Sequence, residues 1–249
     1  MDTVKPWHED DSFWDTWGAL IFSEQRIKDA AGDVDKIIHL LNIARGAHVL
    51  DLGCGIGRHS LELARRGFKV ASVDRTLSYL NRARKQAETE KLDIEFVHND
   101  MRSFRQPESF DAVISMFTTF GYFEDIHDDR RVVENVFASL KPGGKYIIDT
   151  HGKETLARIF TENNWHEENG VLILEERKVT RNWSWMENRW IIIDGSKRTE
   201  FKVTHRLYSA TELMALLASC GFAQVDAHGD LEGNPYDRTA KRLIVVARK

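Results

Sequence analysis

Residues 49–64 read VLDLGCGIGRHSLELA: a short apolar run interrupted only by Asp51, then Gly53, Gly55 and Gly57 at alternate positions, then an amphipathic segment from Arg58. A run this short, closed by turn residues, reads as a strand buried on both faces. Three glycines before a helix allow positive φ angles and let a ligand lie close to the main chain. A dinucleotide-binding loop would carry its third glycine at position 58, where this chain has Arg, so a diphosphate fingerprint is incomplete. Asp51 beside the ligand is awkward for a diphosphate and suits a cationic ammonium and sulfonium.

Outward from this stretch, β-rich runs alternate with helical periodicity, which requires crossover connections and a mostly parallel sheet. Five strands are expected at His48–Leu52, Lys69–Asp74, Ile94–His98, Ala112–Met116 and Lys145–Thr150. Thr76 caps one intervening helix, Asp128 or Asp129 starts the next, and Lys141-Pro142-Gly143-Gly144 stops it. Ser209-Ala210-Thr211-Glu212 is a capping box whose helix ends at Gly221, and Ala223–Ala227 and Leu243–Ala247 finish the chain as an antiparallel pair. Between the fifth strand and the capping box, Val171–Thr180, Trp183–Ile193 and Glu200–Tyr208 predict an antiparallel β lid, with Asp194-Gly195 as a turn. Period-two spacing puts Phe201, Val203, His205 and Leu207 on its dry face and Lys202, Thr204 and Arg206 on its wet face.

The expected architecture is α/β: a doubly wound, mostly parallel seven-stranded sheet with the last strand antiparallel, an N-terminal helical cap and a β lid inserted after the fifth strand. It divides one domain, 1–249, into a cap at 1–45, a cofactor-binding core at 46–150, a lid at 152–208 and a completion of the sheet at 209–249. A formal charge of −4 over 249 residues supplies no polyanion-binding field, and nucleic acid is an unfavoured partner. The acidic start, MDTVKPWHEDDSFW, has no apolar core of a signal, and no run is long enough to span a bilayer, so a cytoplasmic protein without a membrane partner is expected. Two cysteines, Cys54 and Cys220, make neither a disulfide framework nor a zinc site, and the histidines have no metal-ligand spacing, so no metal is expected.

Acidic residues close successive strands. Asp74 ends VASVD about twenty residues beyond the glycine loop, where a carboxylate can accept from both ribose hydroxyls. Asp100 follows the third strand, placed to accept an exocyclic amine, with Met101 able to pack on the ring. Each alone reads equally well as a strand-end or capping carboxylate; together at one sheet edge they point to a nucleoside. On these residues, and on FDAVISMF (110–117) and LKPGGKYIIDT (140–150), the sequence resembles the class I S-adenosylmethionine-dependent methyltransferases over positions 35–150 and from 208 onward. The resemblance implies that S-adenosylmethionine is the cofactor and S-adenosylhomocysteine the product. It further implies that Gly53, Gly55 and Gly57 line the methionine part, that Asp74 binds the ribose and Asp100 with Met101 the adenine, that Met116 and Phe117 close over the ribose and methyl side, and that Asp51 and Arg75 belong to the cofactor-binding set.

The acceptor side is less defined. Phe117, Phe120, Tyr122 and Phe123 either wall a pocket or pack under a helix, with Tyr122 the one expected at the site. His151, just beyond the fifth strand, is the candidate general base, with Tyr122 the alternative proton acceptor. His205 reads first as a packing residue. Trp183, Trp185 and Trp190 either cover an acceptor or pack on the sheet. In the segment from Phe13 to Ile21 the aromatics recur at helical spacing, and by resemblance this helix folds over the cofactor, where Arg26 meets the methionine carboxylate or stays solvated. The expected reaction is methyl transfer to nitrogen, oxygen, sulfur or carbon of a small molecule. The alternatives are a nicotinamide-dependent oxidoreductase, a macromolecule-modifying methyltransferase and a cofactor-binding interaction protein. The oligomeric state is open.

Overall fold

Between parallel strands of the core the chain crosses back over one face of the sheet, mostly through a helix, so these strands have their carboxyl ends at one edge. The computed structural model describes residues 5–168 and 170–249, so the first four residues of the acidic start lie outside it. A short 3-10 turn at Trp7–Glu9 precedes α1 (Asp11–Ile21) and α2 (Glu24–Leu41), which open the chain. The core then runs β1 (His48–Leu52), α3 (Arg58–Arg65), β2 (Lys69–Asp74), α4 (Leu77–Glu90), β3 (Ile94–His98), β4 (Phe110–Ser115), α5 (Ile126–Ser139) and β5 (Leu140–Thr150). After α6 (Lys153–Ile159) come β6 (Asn163–Glu168), β7 (Val171–Thr180), β8 (Trp185–Asp194) and β9 (Lys197–Arg206). The chain closes with α7 (Ala210–Ser219), β10 (Gln224–His228) and β11 (Leu243–Arg248).

The large sheet has seven strands in the order β10-β11-β5-β4-β1-β2-β3, with β11 antiparallel to both its neighbours. The chain leaves β1 toward β2 on one side and returns to β4 on the other, so the order reverses between β1 and β4; in open α/β sheets that crevice is where ligands bind. Successive residues of one strand bury on opposite faces. Leu50, Leu52, Val113, Tyr146 and Val245 pack under α5 and α7, while Val49, Ile114, Ile147 and Ile244 pack under α2 and α3.

The expected architecture holds, with local differences that have physical causes. Helix α5 starts earlier than Asp128 because the Asp125 side chain caps it, accepting from the His127 amide; Asp128 and Asp129 fall in the first turn, where the helix dipole favours them. The Lys-Pro-Gly-Gly stretch ends that helix but is itself part of β5, taken up as an irregularity between the Phe110 and Ala112 pairs with β5. Strand β8 begins at Trp185 rather than Trp183, since Arg181, Asn182 and Trp183 have φ of 52°, 55° and 64° and form the preceding turn. Strand β6, with the sequence NNWHEE, is exposed along its whole length and therefore carries no hydrophobic alternation to reveal it.

The four-stranded lid, β6-β7-β8-β9, presents Ile173, Ile192 and Val203 to Phe13 and Trp17 of α1 in a separate apolar cluster. Its outer face carries an exposed ladder of Arg189 with Glu176 and Glu200. The lid joins the core through Arg206. Its Nε donates to Asp129 Oδ2 at 2.9 Å and its Nη2 donates to the carbonyls of Phe123 and Glu124, while Tyr208 Oη donates to the same Asp129 oxygen at 2.7 Å. Asp129 is fully buried, so Asp129→Ala leaves the guanidinium uncompensated. We expect a loss of about 3 kcal/mol in urea unfolding, within the range for breaking a buried pair; a loss below about 1 kcal/mol would show the joint to be unimportant.

Candidate cofactor and acceptor site

The glycine loop closes on its own backbone. The amides of Gly53 and Cys54 both donate to the Val73 carbonyl, and the Gly55 amide donates to Asp74 Oδ2 at 2.7 Å. The φ angles of Gly53, Gly55 and Gly57 are 78°, 55° and 73°, a region where a side chain is strained. A Cβ on Gly55 would also stand 2.7 Å from the Phe22 ring, and one on Gly53 would crowd Thr119 and Met101, so the glycines keep the floor of a cavity open. That cavity has a volume of about 670 Å³ and extends from the loop to the underside of the lid.

All the residues assigned to the cofactor except Gly57 line this cavity, but with different engagements. Gly57 instead lies against Ala83 of α4, where a Cβ would come within 2.9 Å. Asp51 is buried and accepts from Ser60 Oγ at 2.5 Å. Asp74 also accepts from the Thr76 amide, so its two oxygens hold the loop and retain lone pairs for a ligand. Burial raises the pKa of both carboxyls, and the charge of Asp51 adds to the rise at Asp74. Two carboxylates by one cavity, neither with a full countercharge, favour a cationic ligand. Asp100 is chelated by Arg102, whose Nε and Nη2 donate at 3.0 and 2.6 Å, and this pairing together with the Arg102 amide overcomes burial to hold its pKa down. Met101, Met116 and Phe117 line the cavity beside it, Phe117 with a strained φ of 57°.

Arg75 and Arg26 both line the cavity, with their guanidinium groups engaged by main-chain carbonyls. The Arg75 guanidinium donates to the carbonyls of His8 and Glu9 and so anchors the N-terminal segment beside the cavity that it lines. Arg26 is exposed and donates to the Ile21 carbonyl. The cation buried at the cavity is Arg58, 7% exposed, donating to the Arg26 carbonyl and stacked 3.8 Å over the Phe117 ring. Its signal in the sequence was its place directly after Gly57, at the start of α3.

On the acceptor side, Tyr122 and Phe123 line the cavity with Trp7, His8 and Trp14, whereas Phe120 packs against Tyr208. Burial pushes the Tyr122 hydroxyl well above its ordinary range, which removes it as a proton acceptor near neutral pH. His151 also lies at the cavity, but Arg242 Nη1 stands 2.6 Å from its Nε2, and Arg242 Nε donates to Asp149 at 2.6 Å. A guanidinium has only donors, so Nε2 holds the lone pair and Nδ1 carries the hydrogen. Burial, then the Arg242 charge, press the His151 pKa down to about 3. The general-base assignment is therefore replaced by that of a neutral hydrogen-bond donor. His205, expected to pack, faces the cavity instead, its pKa lowered by burial to about 4. Strand register puts it on one lid face with His166, Glu168, Ile173, Glu175, Arg177, Trp190 and Val203, all at the cavity. The lid's inner face is thus polar toward one end, which period-two spacing did not reveal. Trp183 is exposed and Trp185 is buried elsewhere under Arg181 and Arg206, so of these lid tryptophans only Trp190 reaches the site.

Among the described residues no cluster of ligands for a metal ion is present. The residues fit S-adenosylmethionine: carboxylates for its cations and hydroxyls, a buried guanidinium for its anion, and glycines where a side chain would fill the cradle. Gly55→Val should abolish binding of S-adenosylhomocysteine by calorimetry while the far-ultraviolet spectrum stays unchanged, and normal binding would misplace the loop. Asp74→Asn, which keeps one acceptor oxygen, should weaken it more than tenfold. Because both carboxyls titrate above their ordinary range and must be ionised to hold a cation, binding should release protons and weaken as pH falls through the carboxylate range; pH-independent affinity would contradict this arrangement.

The family described as a methyltransferase domain matches residues 49–144. The Bacillus subtilis protein YqeM is 26% identical over 212 residues, covering 81% of this chain and 83% of that one. A ubiquinone biosynthesis O-methyltransferase of Coxiella burnetii is 32% identical over 138 residues, 51% of this chain and 57% of that one. Among solved structures, an S-adenosylmethionine-dependent methyltransferase from Clostridium acetobutylicum superposes with a TM-score of 0.76 at 18% identity, covering 96% of this chain and 98% of that one. CalS10 of Micromonospora echinaspora, an amino pentose methyltransferase with its cofactor bound, superposes at 0.63 and 23% identity over 100% of both chains. With the domain match spanning the glycine loop and with acidic residues at successive strand ends of this sheet order, residues 49–144 form a methyltransferase domain within the fold shared by these S-adenosylmethionine-dependent enzymes.

Proposed function

We propose that this enzyme methylates a nucleophilic atom of a small molecule held beneath the lid. The observation that carries the reading is the enclosure of the cavity by the inner face of β7 to β9, α1 and the 3-10 turn, which suits a compact acceptor better than a chain of RNA or protein. The named activities of the ubiquinone O-methyltransferase and the amino pentose methyltransferase agree with an acceptor of this size. No described helix is long and apolar enough to cross a membrane, consistent with the cytoplasmic location expected from the sequence.

When bound, S-adenosylmethionine supplies a methyl carbon already activated by its sulfonium. The chain's residues then have to bind, align and keep water out. In this reading Asp74 receives the ribose hydroxyls, Asp100 and Met101 the adenine, and Asp51 the ammonium. Arg58, better buried than Arg26, meets the carboxylate. Phe117, Met116 and Tyr122 wall the methyl side, and His151 steadies the acceptor as a donor. Incubation with labelled S-adenosylmethionine and a cell extract should place the label in the low-mass fraction; label confined to RNA or protein would reject the small-molecule reading.

His151→Gln provides a second test. A glutamine side chain retains an N–H donor, so turnover should stay within about tenfold of wild type, far from the loss of 10²–10⁴ typical of a removed base. Wild type and variant should also share one pH–rate profile, since a histidine held near 3 does not titrate between about pH 5 and 8. An acidic limb near about pH 6.5 that vanished in the variant would restore the base.

A further inference from the structure

Five of the seven buried side-chain polar atoms that lack a hydrogen-bond partner among the described residues belong to residues lining this cavity: Trp17, His59, Thr119, His151 and Trp190. Buried polar groups left unpaired are uncommon and costly, so their concentration at one site calls for a ligand. They divide by position. Thr119 lies against Gly53 and His59 near Phe117, on the cofactor side. Trp17 and Trp190 pack on each other at 4.6 Å between α1 and the lid, where Ile173 and Val203 complete an apolar wall. His151 stands at the end of β5, close enough to the lid to feel the Arg177 charge.

The hydrogen-bonding sense of these three groups is settled by chemistry. An indole nitrogen can only donate. The His151 Nδ1 donates because Arg242, itself held by Asp149 and by Thr118 Oγ1, occupies the lone pair of Nε2. A ligand that offers only N–H groups would leave all three unsatisfied, and a hydrocarbon would do the same.

We propose that the acceptor subsite recognises its molecule through oxygen lone pairs, with Trp17 Nε1, Trp190 Nε1 and His151 Nδ1 as a donor triad and Arg242 as the positioning residue that keeps His151 a donor. The acceptor is accordingly an oxygen-bearing molecule, with carbonyl, hydroxyl or carboxylate oxygens on a body apolar enough to lie against Ile173 and Val203. This rests on the methyltransferase reading and specifies the substrate class for it.

The test uses the full chain saturated with S-adenosylhomocysteine and follows the indole N–H resonances, those of Trp17 and Trp190 being assigned by their loss in W17F and W190F. Cyclohexanone and benzoate serve as neutral and anionic oxygen probes, with methylenecyclohexane and cyclohexylamine as counterparts without oxygen. We expect either oxygen probe to move both resonances downfield, and the oxygen-free pair at equal concentration to leave them in place. W190F should weaken the effective probe by about tenfold, the upper range for one net hydrogen bond, without altering S-adenosylhomocysteine affinity. Arg242→Met, which frees Nε2, should weaken the same probe and let the His151 ring titrate toward its ordinary range in a pH series of ring-carbon shifts. No response to any probe, an equal response to both kinds, or a downfield shift caused by S-adenosylhomocysteine alone would each overturn the triad. Failure to bind S-adenosylhomocysteine at all would instead overturn the reading on which it rests.

Discussion

The site depends on the carboxylate of Asp149, buried at the carboxyl end of β5. One of its oxygens accepts from the Phe117 amide and the other from Arg242 Nε, while its carbonyl accepts from the Thr118 amide. Phe117 and Thr118 have φ of 57° and 61°, an unfavourable conformation for residues with a Cβ, and the strain persists because Asp149 holds both amides. The same carboxylate orients the guanidinium that decides the tautomer of His151. A central strand therefore controls the loop on the methyl side and the chemistry of the nearest histidine together.

Charge is distributed around the cavity in a way that suits its ligand. Asp51 is buried and Asp74 half-buried, neither with a full countercharge, and Arg58 is a buried cation on the opposite account. A ligand carrying both signs relieves desolvation at each, so part of its affinity comes from neutralising charges the fold has already removed from water. The N-terminal elements turn mainly aromatic side chains toward the cavity, and the lid adds Glu168, Glu175 and Arg177 at one end. Trp7, Phe13, Trp14 and Trp17 form a roof tied down by Arg75 and by the Trp7 indole, which donates to the Thr204 carbonyl of β9. Closure over the cofactor and closure of the lid are thus one packed surface.

The replacement of a general base by a donor at His151 changes what is asked of the protein. With the sulfonium as electrophile, alignment and desolvation carry most of the burden, and the depressed basicity of His151 and His205 agrees with a site that orients a nucleophile more than it deprotonates one. Neutral donors buried in a low-dielectric pocket are also selective, because an unmatched ligand leaves them unsatisfied at their full desolvation cost.

The glycine spacing, the apolar strands and the carboxylates at their ends are local signals, and they determined the sheet, the switch point and the loop and strand-end residues that line the cavity. They are legible because a buried parallel strand must be apolar along its length and a loop with positive φ must be glycine. Asp74 and the Ser209 capping box lie where their sequence context put them for the same reason. What only the tertiary structure decided are matters of long-range pairing. Arg242 meets His151 across ninety-one positions, and Arg206 meets Asp129 across seventy-seven, separations over which no periodicity carries information. Strand β6 was hidden because an exposed edge strand needs no apolar face, and the polar half of the lid's inner surface because alternation marks which residues share a face but not what that face will meet. A histidine at a strand end can be base or donor; the guanidinium beside it, brought there by the fold, makes the choice.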